Sequence, residues 1–235
     1  MTAARPNPVP RRWLHLTAIA LVAVTIATCG IGLLTAVERV REAARRSYDN
    51  VKQLHLAMYN YESTYGSLPP VANTDRDGKP LLSWRVLILP YIEQEPLFKE
   101  FHLNEPWDSP HNIRLLDRMP GIYGPFGWQI PDGYPPNHTC FRVFIGTGTL
   151  FEAGKTMRWS DCDDPAGTFL IVESAEPIPW TKPDGLALEP DGPFPPLGVR
   201  RGFFRAVMAD GSYRTFDKPM NEAQLRPMIY RTKPK

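Results

Sequence analysis

The chain has 235 residues, 27 basic and 25 acidic side chains, and a formal charge of +2. That length holds one domain and an anchor. The near balance of charge argues against a nucleic-acid binder, which needs a concentrated basic face, so no nucleic acid is expected as a partner.

The first apolar element is Leu16 to Val37, "LTAIALVAVTIATCGIGLLTAV", which holds no charged residue and no proline. A helix needs roughly 20 such residues to cross a hydrocarbon core. Trp13 stands beside Arg11 and Arg12 at one end as an interfacial anchor. The run predicts a transmembrane helix over 13–37, after an N-terminal segment 1–12, with the lipid bilayer as a partner. A cleaved secretory signal would be shorter and end on a small-residue site, which "TAVER" does not supply. A lipoprotein signal ending at Cys29 would need "IATC" as its cleavage box, a weak match. An uncleaved anchor is the simplest reading. Arginines flank both ends of the run, so the positive-inside count does not fix its orientation.

The segment 38–68 continues the run without a break. Val37, Val40, Ala44, Ser47, Val51, Leu54, Met58, Tyr61 and Tyr65 recur every three or four residues. That spacing predicts one helical stripe, and a helical shaft that stops at Gly66, Leu68, Pro69 and Pro70. The stripe either packs on the chain's own domain or joins copies as a coiled coil. Ala44 and Ser47 are weak coiled-coil residues, which favours the first.

Residues 69–235 hold most of the 26 prolines and should be rich in loops. Their glycines and tryptophans argue against simple disorder. Ser83 is placed to cap a helix that Pro90 interrupts, and Ser109 with Pro110 predicts a second helix start. "FRVFIGTGTLF" and "TFLIVES" read as strands. "FRAVMADGSYRTF" predicts a hairpin, with Asp210 and Gly211 as the turn pair of a type I′ connection. "NEAQLRPMIYR" predicts a short closing helix, and the proline-rich excursion from Glu173 to Gly198 predicts irregular chain. The whole pattern is α+β: a long N-terminal helix packed on an antiparallel sheet head.

Residues with chemical potential are scattered. Asp161, Cys162, Asp163 and Asp164 form an acidic turn without calcium-loop spacing. His138 and Cys140 are two ligands, too few for a metal site. Ser174 lacks a nucleophile elbow, and no glycine-rich phosphate loop exists. Trp107, Trp128, Trp159 and Trp180 offer faces for sugars but more often pin loops or fill a core. No catalytic residue, cofactor or metal is expected. Cys140 and Cys162 can pair if the compartment is oxidising.

Several blocks carry a family resemblance. "REAARRSYDNVKQLHLAMYNYESTYGSLPP", "SWRVLILPYIEQEPLFKEF", "NEPWDSPHN", "GTFLIVESAEPIPWTKPDGL" and "FFRAVMADGSYRTF" resemble the pilin-like proteins of planctomycete bacteria. That family has a prepilin-type N-terminus and is catalogued as domain of unknown function 1559. The chain departs from it in three places. No glycine, phenylalanine and glutamate open the apolar run near Trp13, Arg200 stands where the family has a histidine, and "DDPAGT" replaces its usual strand opening.

The resemblance implies a pilin or pseudopilin-like molecule in the cytoplasmic membrane, with residues 1–12 inside and the head outside. The compartment would then be oxidising and would allow the Cys140–Cys162 bridge. Other pilin-like subunits are the implied partners. The expected function is structural: a component of a pseudopilus, secretion or cell-surface assembly. The alternative is a membrane-tethered module that binds a glycan, and a membrane-anchored hydrolase is remote.

Overall fold

The computed structural model describes residues 11–124, 133–188, 192–198, 202–217 and 221–232. The chain divides into two units, residues 1–45 and 46–235. The fold is α+β with an antiparallel sheet.

Helix α1 spans Arg11–Tyr65. The expected membrane span falls largely on side chains outside the described ones, including those of Trp13 and Leu16. Among the described residues, no helix is long and apolar enough to cross a membrane. In the first unit Ile31, Leu33 and Leu34 are exposed, as is Val37.

In the second unit the predicted stripe is a packing face. Val51, Leu54 and Met58 are fully buried, and Ala57 joins them. Tyr61 packs on the edge of this core, and Tyr65 is 64% exposed. Burial thus stops one turn before the predicted end of the stripe. Gly66 terminates the helix in the left-handed region at φ 73°, with its N–H donating to the Glu62 carbonyl at 2.7 Å. A residue without Cβ takes that conformation at no steric cost. Leu68, expected inside the shaft, lies beyond the helix, where its N–H donates to the Met157 carbonyl.

Short elements follow. Strands β1 (Ala72–Thr74) and β2 (Pro80–Ser83) pair antiparallel. Helix α2 (Trp84–Leu87) gives way to a 3-10 turn at Leu89–Ile92, with Pro90 at its start as the sequence implies, and α3 covers Glu95–Glu100. Ser83 occupies the cap position of α2 but does not cap it. Its hydroxyl donates to the Trp180 carbonyl at 2.9 Å. The second predicted start is shifted: a 3-10 helix begins at Asn112, and the Ser109 hydroxyl accepts from the Asn112 N–H.

The sheet is formed by β3 (His138–Arg142), β5 (Phe169–Pro179), β7 (Phe203–Met208) and β8 (Tyr213–Asp217), in the order β3-β5-β7-β8. Every pair is antiparallel. Strands β4 (Phe144–Ile145) and β6 (Leu186–Ala187) form a small parallel pair. The excursion from Glu173 to Gly198 therefore contains regular structure: β5 runs on to Pro179 and β6 returns to pair. The chain closes with α4 (Glu222–Leu225), capped by the Asn221 side chain.

Both faces of the sheet are covered. Period-two alternation on β7 sends Val207 to the core shared with Leu54 and Met58. It sends Phe204, Ala206 and Met208 to a second core with Leu186, Leu225 and Ile229.

The hairpin turn differs from type I′. Gly211 has φ 79°, whereas Asp210 is not among the residues with positive φ. The Gly211 N–H donates to the Met208 carbonyl at 2.9 Å, and the Met208 N–H to the Ser212 carbonyl at 2.8 Å. This is a three-residue loop, Ala209 to Gly211: a type I turn closed by a glycine bulge. Asp210 contributes through its side chain, whose Oδ1 accepts from the Ser212 N–H. An aspartate can satisfy a turn in this way without leaving ordinary φ.

Candidate functional site

A groove of about 650 Å³ lies between the segment after α1 and the loop 150–157. Pro69, Pro70 and Val71 form one wall, and Phe151, Lys155 and Met157 the other. The "GSLPP" stop of the shaft thus builds a groove wall as well as a terminator. Glu152 anchors the opposite wall. Its carboxylate accepts from Arg231 at 2.8 Å and the Gly148 N–H at 3.1 Å, and pairs with Lys155 at 2.6 Å. The hydrogen bond from Lys155, followed by those from Arg231 and Gly148, pulls its pKa down to about 2. Among the described residues the groove has one cation and one anion, already paired to each other, and no nucleophile–base pair lines it. It can bind but is not equipped for acid–base work.

A buried arginine holds a separate part of the head together. Arg85 is fully buried on α2. Its Nε donates to the Phe141 carbonyl at 3.1 Å, Nη2 reaches the same oxygen, and Nη1 lies 3.4 Å from the Trp180 carbonyl. The Tyr123 hydroxyl donates to the Arg85 carbonyl at 2.7 Å. Burial lowers the Arg85 pKa to about 10, which still leaves the guanidinium charged at neutral pH. Arg85 works as a strut that ties α2 to β3 and to the end of β5.

A second polar hub sits in "NEPWDSPHN". Asn112 is fully buried; its Oδ1 accepts from the His102 N–H at 3.0 Å. Its Nδ2 lies within donor distance of the His102, Glu105 and Pro106 carbonyls. One carboxamide replaces a regular ladder across the whole loop. The His102 and His111 rings stack on its surface, centroids 3.5 Å apart.

The sequence candidates are dispersed. Asp161 and Asp164 serve local turns: Asp161 Oδ2 accepts from the Arg158 N–H, and Asp164 Oδ1 from Gly167. Among the described residues, no group of three His, Cys, Asp or Glu could hold a metal ion. His138 Nδ1 faces the Pro136 carbonyl at 2.7 Å. The Ser174 hydroxyl lies within donor distance of the Glu176 carbonyl at 2.8 Å and the Cys140 carbonyl at 3.1 Å rather than facing a base. Trp180 is fully buried, its Nε1 donating to the Leu116 carbonyl, so it offers no face to a sugar. Trp107 and Trp159 are partly buried against the same core. Trp128 and Arg200 lie outside the described residues.

Cys140 and Cys162 are free and buried. The middle of β3 holds one thiol, and the turn after the 3-10 helix Trp159–Asp161 holds the other. Burial pushes the Cys140 thiol well above its usual range, which keeps it protonated and unreactive.

Arg85 and Asn112 escaped the sequence reading. Arg85 and Asn112 sit inside the quoted family blocks, but nothing in their spacing marks a buried strut or hub. No curated protein and no solved structure matches the chain. Residues 38–125, a segment that includes the shaft, the Arg85 strut and the Asn112 loop, match the profile of a family described as "Protein of unknown function (DUF1559)".

Proposed function

We propose that the chain is a single-pass, membrane-anchored, pilin-like protein whose head stands outside the cytoplasm, with a structural or assembly role rather than a catalytic one. The observation that carries this reading is the run Leu16–Val37, uncharged and free of proline. It feeds into a helix whose later turns bury Val51, Leu54, Ala57 and Met58 in the head. The exposed Ile31, Leu33 and Leu34 support it, since apolar side chains of that size call for a lipid or protein environment. The resemblance to the pilin-like family supports the topology, with residues 1–12 inside and other pilin-like subunits as partners.

Fractionation of native cells tests the anchor, and intact mass tests its processing. The expected result is uncleaved protein in the membrane fraction that detergent, not salt or carbonate, releases. Soluble protein would sink the reading, as would a mature N-terminus at or after Cys29. Protease added to intact spheroplasts should digest the head; full protection would overturn the topology.

A further inference from the structure

Asn50 and Gln53 lie one turn apart on α1, and Gln94 stands at the N-terminal cap position of α3. All three residues line one cleft of about 410 Å³, completed by Ile92, Pro120, Gly121 and Ile122. Among the described residues, no charged side chain lines it. Gln94 caps in position only, because its side chain makes no capping hydrogen bond. Among the described residues, the carboxamides of Asn50 and Gln53 hold no partner either. Glu93, between Ile92 and Gln94, has φ 60°. A non-glycine residue adopts that conformation at a cost, and here it turns the chain so that both neighbours line the cleft.

We propose that this cleft binds a neutral saccharide. Each carboxamide offers one acceptor oxygen and two N–H donors, so three offer a dense mixed set without charge. An ionic ligand would lose hydration and find no counter-charge. A purely apolar ligand would strip water from three amides and leave them unsatisfied. A ligand dense in uncharged hydroxyls meets both requirements, and the aliphatic wall of Ile92, Pro120 and Ile122 suits the C–H face of a sugar ring. The volume lies within the range of small-molecule sites, roughly 300–1,000 Å³. An extended peptide would seek a strand edge, and no strand lines this cleft. The proposal is independent of the membrane anchor.

The test is calorimetric titration of the purified full-length chain, in a detergent without a sugar headgroup, with cellobiose, maltose and N,N′-diacetylchitobiose. At least one should bind. Gln53→Ala and Gln94→Ala should each weaken that binding about fivefold, the worth of one net hydrogen bond. Their thermal unfolding should match the parent, because neither carboxamide holds the fold. Absence of binding by all three sugars would overturn the proposal. So would equal binding by parent and both variants, which would put the sugar elsewhere, or binding of triglycine in preference to the sugars.

Discussion

The His55 imidazole on α1 meets the hairpin turn at the Ala209 carbonyl, with Nε2 3.1 Å from the oxygen. A carbonyl only accepts, so this contact requires a proton on Nε2. The turn lies so close that a Cβ on Gly211 would stand 2.8 Å from His55 Nδ1. The Ala209 N–H donates to the Thr168 carbonyl and the Asp210 N–H to the Pro165 carbonyl. Helix, hairpin and the turn before β5 are therefore joined at one point.

Gly211→Ala should cost about 2 kcal/mol of unfolding free energy. One part is the left-handed φ of 79°, worth about 1 kcal/mol against an L side chain. The rest is displacement of a ring already tilted against Trp159 at 5.2 Å between centroids. Denaturant unfolding of the variant checks this. Parental stability would show that the ring moves aside freely.

Leu54 is fully buried where the helix faces the sheet. Leu54→Ala should cost about 3 kcal/mol through lost transfer energy and the cavity left behind. Leu54→Asp should cost more, because it also buries a charge without a partner. A thermal melt of the head that is unchanged by Leu54→Asp would show the stripe to be exposed and revive the coiled-coil arrangement.

The sequence made the helix, its packing stripe and the strands legible because each has a period. Val51, Leu54 and Met58 follow a helical spacing, and β7 alternates with Phe204, Ala206 and Met208 on one face and Val207 on the other. Periodicity says which face is apolar but not how many layers cover it. The second core, with Leu186, Leu225 and Ile229, was therefore invisible in sequence. The turn was legible as a turn and misassigned in type, because Asp-Gly serves both a type I′ pair and the last two residues of a bulged loop. The polar hubs had no signature. Arg85 and Asn112 act through backbone carbonyls, and a carbonyl partner leaves no trace in residue identity. The amide cleft had none either, since Gln94 comes near Asn50 and Gln53 only through the fold.

Arg85→Lys should destabilise by about 2 kcal/mol despite keeping the charge. The guanidinium reaches the Phe141 carbonyl through Nε and Nη2 and also points Nη1 toward the Trp180 carbonyl. One ammonium cannot span that set, and a buried charge short of partners is costly. Equilibrium denaturation decides. A loss under 0.5 kcal/mol, roughly half of one net hydrogen bond, would mean the strut is dispensable.

Cys140 and Cys162 are buried free thiols, so both should resist a polar thiol reagent in the folded protein. Both should label when the unreduced protein is denatured. Peptide mass mapping of protein taken from native membranes would show the outcome directly. A Cys140–Cys162 peptide pair would mean that the cell forms the bridge.

The last expectation concerns acid. Glu152 holds Lys155, Arg231 and the Gly148 N–H, and these partners lower its pKa from 4.5 to about 2. A carboxylate with a depressed folded pKa favours folding at pH values above its unfolded pKa. Its contribution is complete above about pH 5, declines as pH falls below 4.5, and is lost near pH 2. Arg231 also donates to the Thr149 carbonyl, so the carboxylate ties the end of the chain to the groove wall. Glu152→Gln removes the titration and the charge but keeps the shape. The variant should melt below the parent at pH 6, and the gap between the two melting temperatures should narrow from pH 5 to pH 2. A gap independent of pH would assign the loss to packing rather than to the ionised carboxylate. A gap that widened on acidification would reverse the sign and remove Glu152 as the acid-labile clasp.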